Sequence, residues 1–194
     1  MTCQRQGTVY VSAAETGKLI RAALKRAFPS VTFAVRTEAS RGGGAARVQW
    51  TDGPTAKQVH ALLAQYEGAS FDGMIDLETA VYQTVDGQRT HYGTSYIFTR
   101  RVTTRALVDA CLDEACAVYG QEKRPIRDDP YFGAAVQPGP SVDYWDLEQI
   151  VTRYLADTDA TKRCSRCGYY LVNTERADGE QPAPTRCRAC REAF

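Results

Sequence analysis

The chain has no long apolar run: nothing in its 194 residues approaches the roughly 18 uninterrupted apolar positions that a membrane span requires. Met1-Thr2-Cys3-Gln4-Arg5-Gln6 also lacks the apolar core of a secretory leader, so a soluble cytoplasmic protein, without membrane contact, is expected. Excess charge of either sign is missing too. The 24 Lys and Arg stand against 23 Asp and Glu, so bulk basicity makes no case for nucleic acid and local clusters must make it. Histidine is scarce. His60 and His91 are the only two, and neither sits in a local signature for a Cys-His or Ser-His catalytic pair. The Arg41-Gly42-Gly43-Gly44 loop is not followed by the Lys and Ser or Thr of a phosphate-binding loop, which favours a plain hairpin connection.

Cysteine, by contrast, is present in an odd number, seven, which argues against a disulfide framework. Four of the seven form Cys164-Ser165-Arg166-Cys167 and Cys187-Arg188-Ala189-Cys190. Two short chelating turns of this kind can present four thiolates to one tetrahedral zinc. The span between them, with Tyr169-Tyr170-Leu171-Val172, is long enough for a hairpin. A zinc ribbon over residues 159–194 is therefore expected, with one structural zinc, because four protein ligands leave no position for water. So small a segment buries too little apolar area to fold alone, and metal binding supplies the missing free energy. Cys111 and Cys116 fit the inner side of a helix as small hydrophobes, and Cys3 has no assigned role.

From the N-terminus, Ser12-Ala13-Ala14-Glu15 has the spacing of a capping box, and Leu19, Ile20, Ala23, Leu24 and Ala27 follow at helical intervals until Phe28-Pro29. Val31, Phe33 and Val35, then Ala46, Val48 and Trp50, alternate with polar residues and predict two paired strands. Asp52-Gly53 turns the chain, and Pro54-Thr55 starts a helix with Val59, Leu62, Leu63 and Tyr66 on its inner stripe. Gly68 suits that helix's C-terminus, and Phe71 and Met74, flanking a second turn at Asp72-Gly73, are expected to anchor on the sheet. Asp86-Gly87 joins a short hairpin, Tyr96-Ile97-Phe98 is a further strand, and Leu107, Val108, Cys111, Leu112, Ala115, Val118 and Tyr119 line a third helix ending at Gly120.

The expected fold is α+β: helices packed on one mostly antiparallel sheet in the order α-β-β-α-hairpin-β-α over residues 1–120, with the small C-terminal zinc ribbon appended. Residues 121–140, rich in Pro, Gly and charge, read as a linker or surface loop. Residues 141–158 read as a connecting helix carrying Tyr144, Leu147, Val151 and Tyr154.

Candidate contacts to nucleic acid or a partner are the cations Lys18, Arg21 and Lys25 on the first helix, Arg41 in the glycine loop, Arg100 and Arg101 at the end of a strand, and Arg163, Arg166, Arg186, Arg188 and Arg191 around the cysteines. Asp52, Asp72 and Asp76 are ordinary turn residues by local chemistry. Grouped, they would suit a metal-dependent nucleic-acid enzyme, which is one alternative; a purely architectural protein-binding subunit is another.

Tyr10-Val11-Ser12-Ala13-Ala14-Glu15-Thr16 with Leu19-Ile20-Arg21, then Phe28-Pro29-Ser30-Val31-Thr32-Phe33, Val48-Gln49-Trp50-Thr51-Asp52-Gly53-Pro54-Thr55 and Phe71-Asp72-Gly73-Met74-Ile75-Asp76 together resemble the twenty-ninth of the large polyvalent protein associated domains, over about Tyr10 to Gly120. That family is carried by phages, plasmids and other mobile elements, often fused to enzymes, and no catalytic residues carry over from it. The resemblance implies a free-standing accessory protein of a mobile element. Such a protein would engage nucleic acid or a nucleic-acid-bound host complex without catalysis, as an anti-CRISPR-like or anti-restriction factor.

Overall fold

The computed structural model describes residues 7–39, 43–139, 146–174 and 185–192. Arg41, Cys3, Tyr144 and the expected helix start at Pro140-Ser141 lie outside them. The fold is α+β, as the sequence predicts, and the chain divides into two units: residues 1–50 with 57–100, and residues 51–56 with 101–194.

The first unit begins with β1 (Val9–Val11) and α1 (Ala13–Ala27). The Ser12 hydroxyl accepts from the Glu15 amide at 3.2 Å, and the Glu15 carboxylate accepts from the Ser12 amide at 3.1 Å, so the capping box closes. The Ser12 hydroxyl also donates to that carboxylate at 2.7 Å, and this bond together with the one from the Ser12 amide holds the Glu15 carboxyl below its usual range. Strands β2 (Phe33–Glu38) and β3 (Gly44–Thr51) pair antiparallel with Phe33 opposite Trp50 and Val35 opposite Val48. Next come α2 (Ala56–Leu63), β4 (Ala69–Asp72), β5 (Leu77–Ala80), β6 (Gln83–Val85), β7 (Gln88–Tyr92) and β8 (Thr94–Val102). One core gathers Ile20, Leu24, Val35, Val48, Trp50, Val59, Leu63 and Ile97.

The strands do not form one sheet. They are distributed over β2-β3-β8, β1-β7-β6, β4-β5 and, in the second unit, one further pair. β1 joins β7 in parallel, which period-2 patterning cannot reveal because pairing partners lie far apart in sequence. Asp86 and Gly87 both have positive φ and connect β6 to β7 as the two-residue turn expected there.

Several expected burials differ. On α1 the inner stripe is Ala13, Thr16, Gly17, Ile20, Ala23 and Leu24, while Leu19 and Ala27 face outward. Gly68 does not cap α2. Its amide donates to the Thr94 carbonyl, and a Cβ there would lie 2.0 Å from the Tyr92 carbonyl oxygen, so backbone proximity demands glycine. Phe71 and Met74 are not anchors but stand in solvent, Met74 at 96% exposure, because β4 and β5 form a separate two-stranded ribbon with no layer of described residues over its tip. In that turn the left-handed residue is Asp76, not Gly73.

The second unit contains α3 (Arg105–Tyr119), β9 (Ile126–Asp129), β10 (Gly133–Val136), α4 (Leu147–Asp157) and α5 (Arg188–Glu192). Thr104 caps the start of α3 and Gly120, with φ of 64°, its end. Helix α3 thus lies outside the unit formed by the strands that precede it, and its Val118 and Tyr119 are partly exposed. The stretch 121–140 is not a bare loop: β9 and β10 pair antiparallel, and Ala134 and Val136 enter the core formed by Leu107, Val108, Cys111, Leu112, Leu147, Val151 and Tyr154. Four-residue strands, one the charged Ile126-Arg127-Asp128-Asp129 and the other the small Gly133-Ala134-Ala135-Val136, carry too little periodicity to betray this. Helix α4 starts at Leu147, its N-cap Asp146 accepting from the Glu148 amide and pairing with Arg124.

Candidate metal centre

Cys164 and Cys167 occupy a tight turn. The Cys164 amide donates to the Tyr169 carbonyl at 2.8 Å and the Gly168 amide to the Cys164 carbonyl at 2.9 Å, a path that needs the left-handed φ of 72° at Gly168. Cys187 precedes α5, and its carbonyl accepts from the amides of Cys190 and Arg191. The Ser165 amide donates to the Thr185 carbonyl at 3.0 Å and ties the two turns together. The four thiol sulfurs lie within 4.8 Å of one another, with those of Cys167 and Cys187 at 3.5 Å. A tetrahedral ion with bonds of about 2.3 Å to sulfur places its ligands about 3.8 Å apart, so the cage fits such an ion with small adjustments.

Electrostatics agree with the geometry. Backbone amides of Cys187, Cys167 and Arg166 draw the Cys164 thiol down to about 6, whereas the neighbouring thiol of Cys167 and burial push Cys190 up to about 12. Burial likewise raises Cys187. Four crowded thiols resist ionising together, and a bound cation relieves that repulsion by replacing their protons. Among the described residues this is the grouping that could hold a metal ion.

The knuckle is joined to the Asp52 turn through side chains of its own unit. Tyr170, two residues after Gly168, donates its hydroxyl to Asp52 at 3.2 Å, and the Arg163 guanidinium stacks 3.5 Å from the Tyr170 ring centre. The Asp52 carboxylate also accepts the amide and hydroxyl of Thr104, each at 2.8 Å. Arg101 completes the junction. It donates to the carbonyls of Asp52 at 2.7 Å, Gly53 at 3.1 Å, Leu155 at 2.7 Å and Thr158 at 2.9 Å. Arg101 is thus a backbone clamp and not a surface contact, and nothing local in the sequence signals it, since its partners are 48 to 57 positions away. Asp52 is a structural acceptor. Asp72 serves its own turn, accepting from the Met74 amide at 2.9 Å.

The other candidate cations divide. Arg21 donates to the Val35 carbonyl and Arg100 to Gln49, so both are partly committed within the first unit, where Lys18 and Lys25 stay exposed on α1. Around the cysteines, Arg163, Arg166, Arg186 and Arg191 are exposed, and Arg188 pairs with Glu192 at 2.7 Å. A groove of about 570 Å³ runs beside them, floored by Ala110, Ala117, Tyr169, Leu171 and Val172. His60 is exposed on α2, and His91 rests between Tyr10 and Tyr82 with Nδ1 3.0 Å from the Val81 carbonyl.

Residues 11–104 match the family model described as large polyvalent protein associated domain 29. This segment is a member of that family. No curated protein and no solved structure matches the chain. Large polyvalent protein associated domain 29 ends here one residue before α3, at the cap residue Thr104. Its Asp52-Gly53 turn nevertheless finds partners beyond the domain's limit, at Tyr170 and, through the Gly53 carbonyl, at the Ala160 amide. The match suggests a protein associated with phages or other mobile elements. No helix of the described residues is long and apolar enough to cross a membrane.

Proposed function

We propose that the chain is a non-enzymatic accessory binding protein of a mobile element, whose second unit holds one structural zinc on Cys164, Cys167, Cys187 and Cys190 and meets nucleic acid, or a host nucleoprotein complex, through the basic face of that knuckle. Zinc is favoured because four thiolates in a closed tetrahedral set suit it and keep it from catalysis, and thiolate ligation suits a reducing cytoplasm. The observation that carries the contact is the ring of exposed Lys162, Arg163, Arg166, Arg186 and Arg191 around the four sulfurs. A zinc ion with four thiolates carries two net negative charges, and Glu192 answers Arg188. Asp113, Glu114 and Glu192 line the groove beside Arg186, Arg188 and Arg191, so the positive charge offered to phosphates comes chiefly from Lys162, Arg163 and Arg166. Against a host that recognises foreign nucleic acid, such a rigid binding surface is enough for an anti-defence role.

Two measurements test this. Protein purified without chelator is expected to carry one zinc per chain by atomic spectrometry, and Cys167→Ser or Cys190→Ser to lose it; content well below one in the parent protein removes the zinc. A labelled oligonucleotide is expected to bind with affinity that falls steeply with salt, by roughly 0.7 to 0.9 logarithmic units per phosphate contact for each tenfold rise. Arg163→Ala with Arg166→Ala should flatten that slope. Absence of binding at low salt rejects nucleic-acid contact.

A further inference from the structure

The β4–β5 ribbon presents an apolar tip of unusual exposure: Phe71 at 56%, Met74 at 96%, Ile75 at 66% and Leu77 at 52%. Its base is fixed. The Gly68 amide donates to the Thr94 carbonyl at 2.7 Å, the Val81 amide to the Gly68 carbonyl at 2.8 Å, and Tyr96 to Glu78 at 3.1 Å, while Ala69 is buried. The tip turn is closed by Asp72 on the Met74 amide. A stiffly rooted ribbon whose largest side chains face water gains nothing for the fold from them, and exposed clusters of this kind mark interaction sites.

Charge decides what can cover it. From Glu67 to Asp86 the chain carries five carboxylates, at Glu67, Asp72, Asp76, Glu78 and Asp86, and no Lys or Arg. Anionic lipid and nucleic acid are both repelled by such a segment. A second copy offers the groove beside the cysteines, but that groove is lined by Asp113, Glu114 and Glu192 as well as by Arg186, Arg188 and Arg191, so its rim is not the uniformly basic one this tip requires.

We propose that the β4–β5 hairpin is a docking element that inserts Phe71, Met74, Ile75 and Leu77 into an apolar slot of a partner protein whose rim is lined by Lys and Arg, with Asp72, Asp76 and Glu78 meeting that rim. The apolar tip supplies most of the affinity, and the carboxylates supply orientation and rate of encounter. The proposal does not rest on nucleic-acid contact at the knuckle.

The test uses the full chain and defined probes: a labelled amphipathic peptide of Lys and Leu, the same pattern in Glu and Leu, a Lys and Ser peptide, and vesicles of phosphatidylglycerol. The Lys-Leu peptide is expected to bind at least tenfold more tightly than the other probes. Met74→Ser with Ile75→Ser should weaken it at least tenfold while circular dichroism stays unchanged. Asp72→Asn with Asp76→Asn should weaken it and reduce its salt dependence, since Asn tolerates the left-handed backbone of position 76. Equal binding of the Glu-Leu peptide, binding that survives both double substitutions, or preferential vesicle binding overturns the proposal. A dimer seen in sedimentation that dissociates on the Met74 and Ile75 exchange also overturns it, by giving the tip to a second copy.

Discussion

Exchanging Arg101 for methionine keeps much of the side chain's length and removes all of its donors. Four carbonyls then lose a partner, although the Gly53 carbonyl retains the Ala160 amide at 2.8 Å. A hydrogen bond from a charged donor contributes about 1.5 to 3 kcal/mol, but four from one guanidinium do not add independently, and its desolvation offsets part of them. Burial indeed lowers the guanidinium's pKa, with Asp52 opposing that shift. The expected cost is about 3 to 5 kcal/mol, within the range for breaking a buried charged network. Arg101→Lys keeps the charge yet reaches one or two carbonyls, and should lose about half as much. Urea unfolding followed by far-ultraviolet circular dichroism, at one pH and one metal concentration, gives both values, with the m-value checking that compactness is unchanged. If the methionine variant falls within about 1 kcal/mol of the parent while oligonucleotide affinity collapses, Arg101 is a phosphate contact and the clamp is refuted.

Asp52→Ala removes three acceptor contacts and should cost about 2 to 4 kcal/mol in the same assay. A double-mutant cycle with Tyr170→Phe should show coupling of about 0.5 kcal/mol or more, and strict additivity would separate the knuckle from the turn. Gly68→Ala forces a Cβ to 2.0 Å from the Tyr92 oxygen and should destabilise by about 3 kcal/mol. Gly73→Ala, whose Cβ has 3.8 Å of room and no left-handed φ, should stay within about 0.5 kcal/mol on thermal melts. Burial pushes the Cys111 thiol from 9.0 up to about 12, so it should resist alkylation at pH 8 in the native chain and react fully in urea. Because the folded value exceeds the unfolded one, the stability Cys111 confers is complete below about pH 9 and lost as pH rises toward 12; a stability that rises across that window contradicts its burial.

Elements legible in the sequence are those specified by neighbours a few positions apart. Ser12 with Glu15, the Asp86-Gly87 turn, the Gly120 cap, the alternation of Ala46, Val48 and Trp50, and the two chelating cysteine pairs all act over such distances, and each appears where its spacing predicts. What escaped depends on partners distant in the chain. Leu19 and Phe71 are as apolar as Ile20, and only the absence of a covering layer leaves them exposed. Gly68 resembles a helix stop until the approach of Tyr92 is known. Arg101 beside Arg100 looks like a basic pair, yet one turns to Gln49 and the other inward to four carbonyls, because successive residues of a strand face opposite ways.

The boundary of the domain family is therefore not a folding boundary. Residues 51–56 belong to the second unit although the family match runs from 11 to 104, and their partners Leu155, Thr158, Ala160 and Tyr170 all lie beyond it. A chain truncated after Gly120 would retain the whole core around Ile20, Trp50 and Ile97. It would also strip α3 of Val136, Leu147, Val151 and Tyr154, leaving Leu107, Val108, Cys111 and Leu112 facing water. At about 1.5 to 3 kcal/mol for each large side chain so exposed, that loss exceeds what a helix of this length recovers by itself. Such a fragment should bind a hydrophobic dye, exchange the amides of α3 within seconds and aggregate on concentration, while amides of α1 and β3 remain protected. Slow exchange throughout α3 in a monomeric fragment would show that residues 1–120 fold as one domain after all, and that the contacts of Asp52 and Arg101 with the C-terminal part are dispensable.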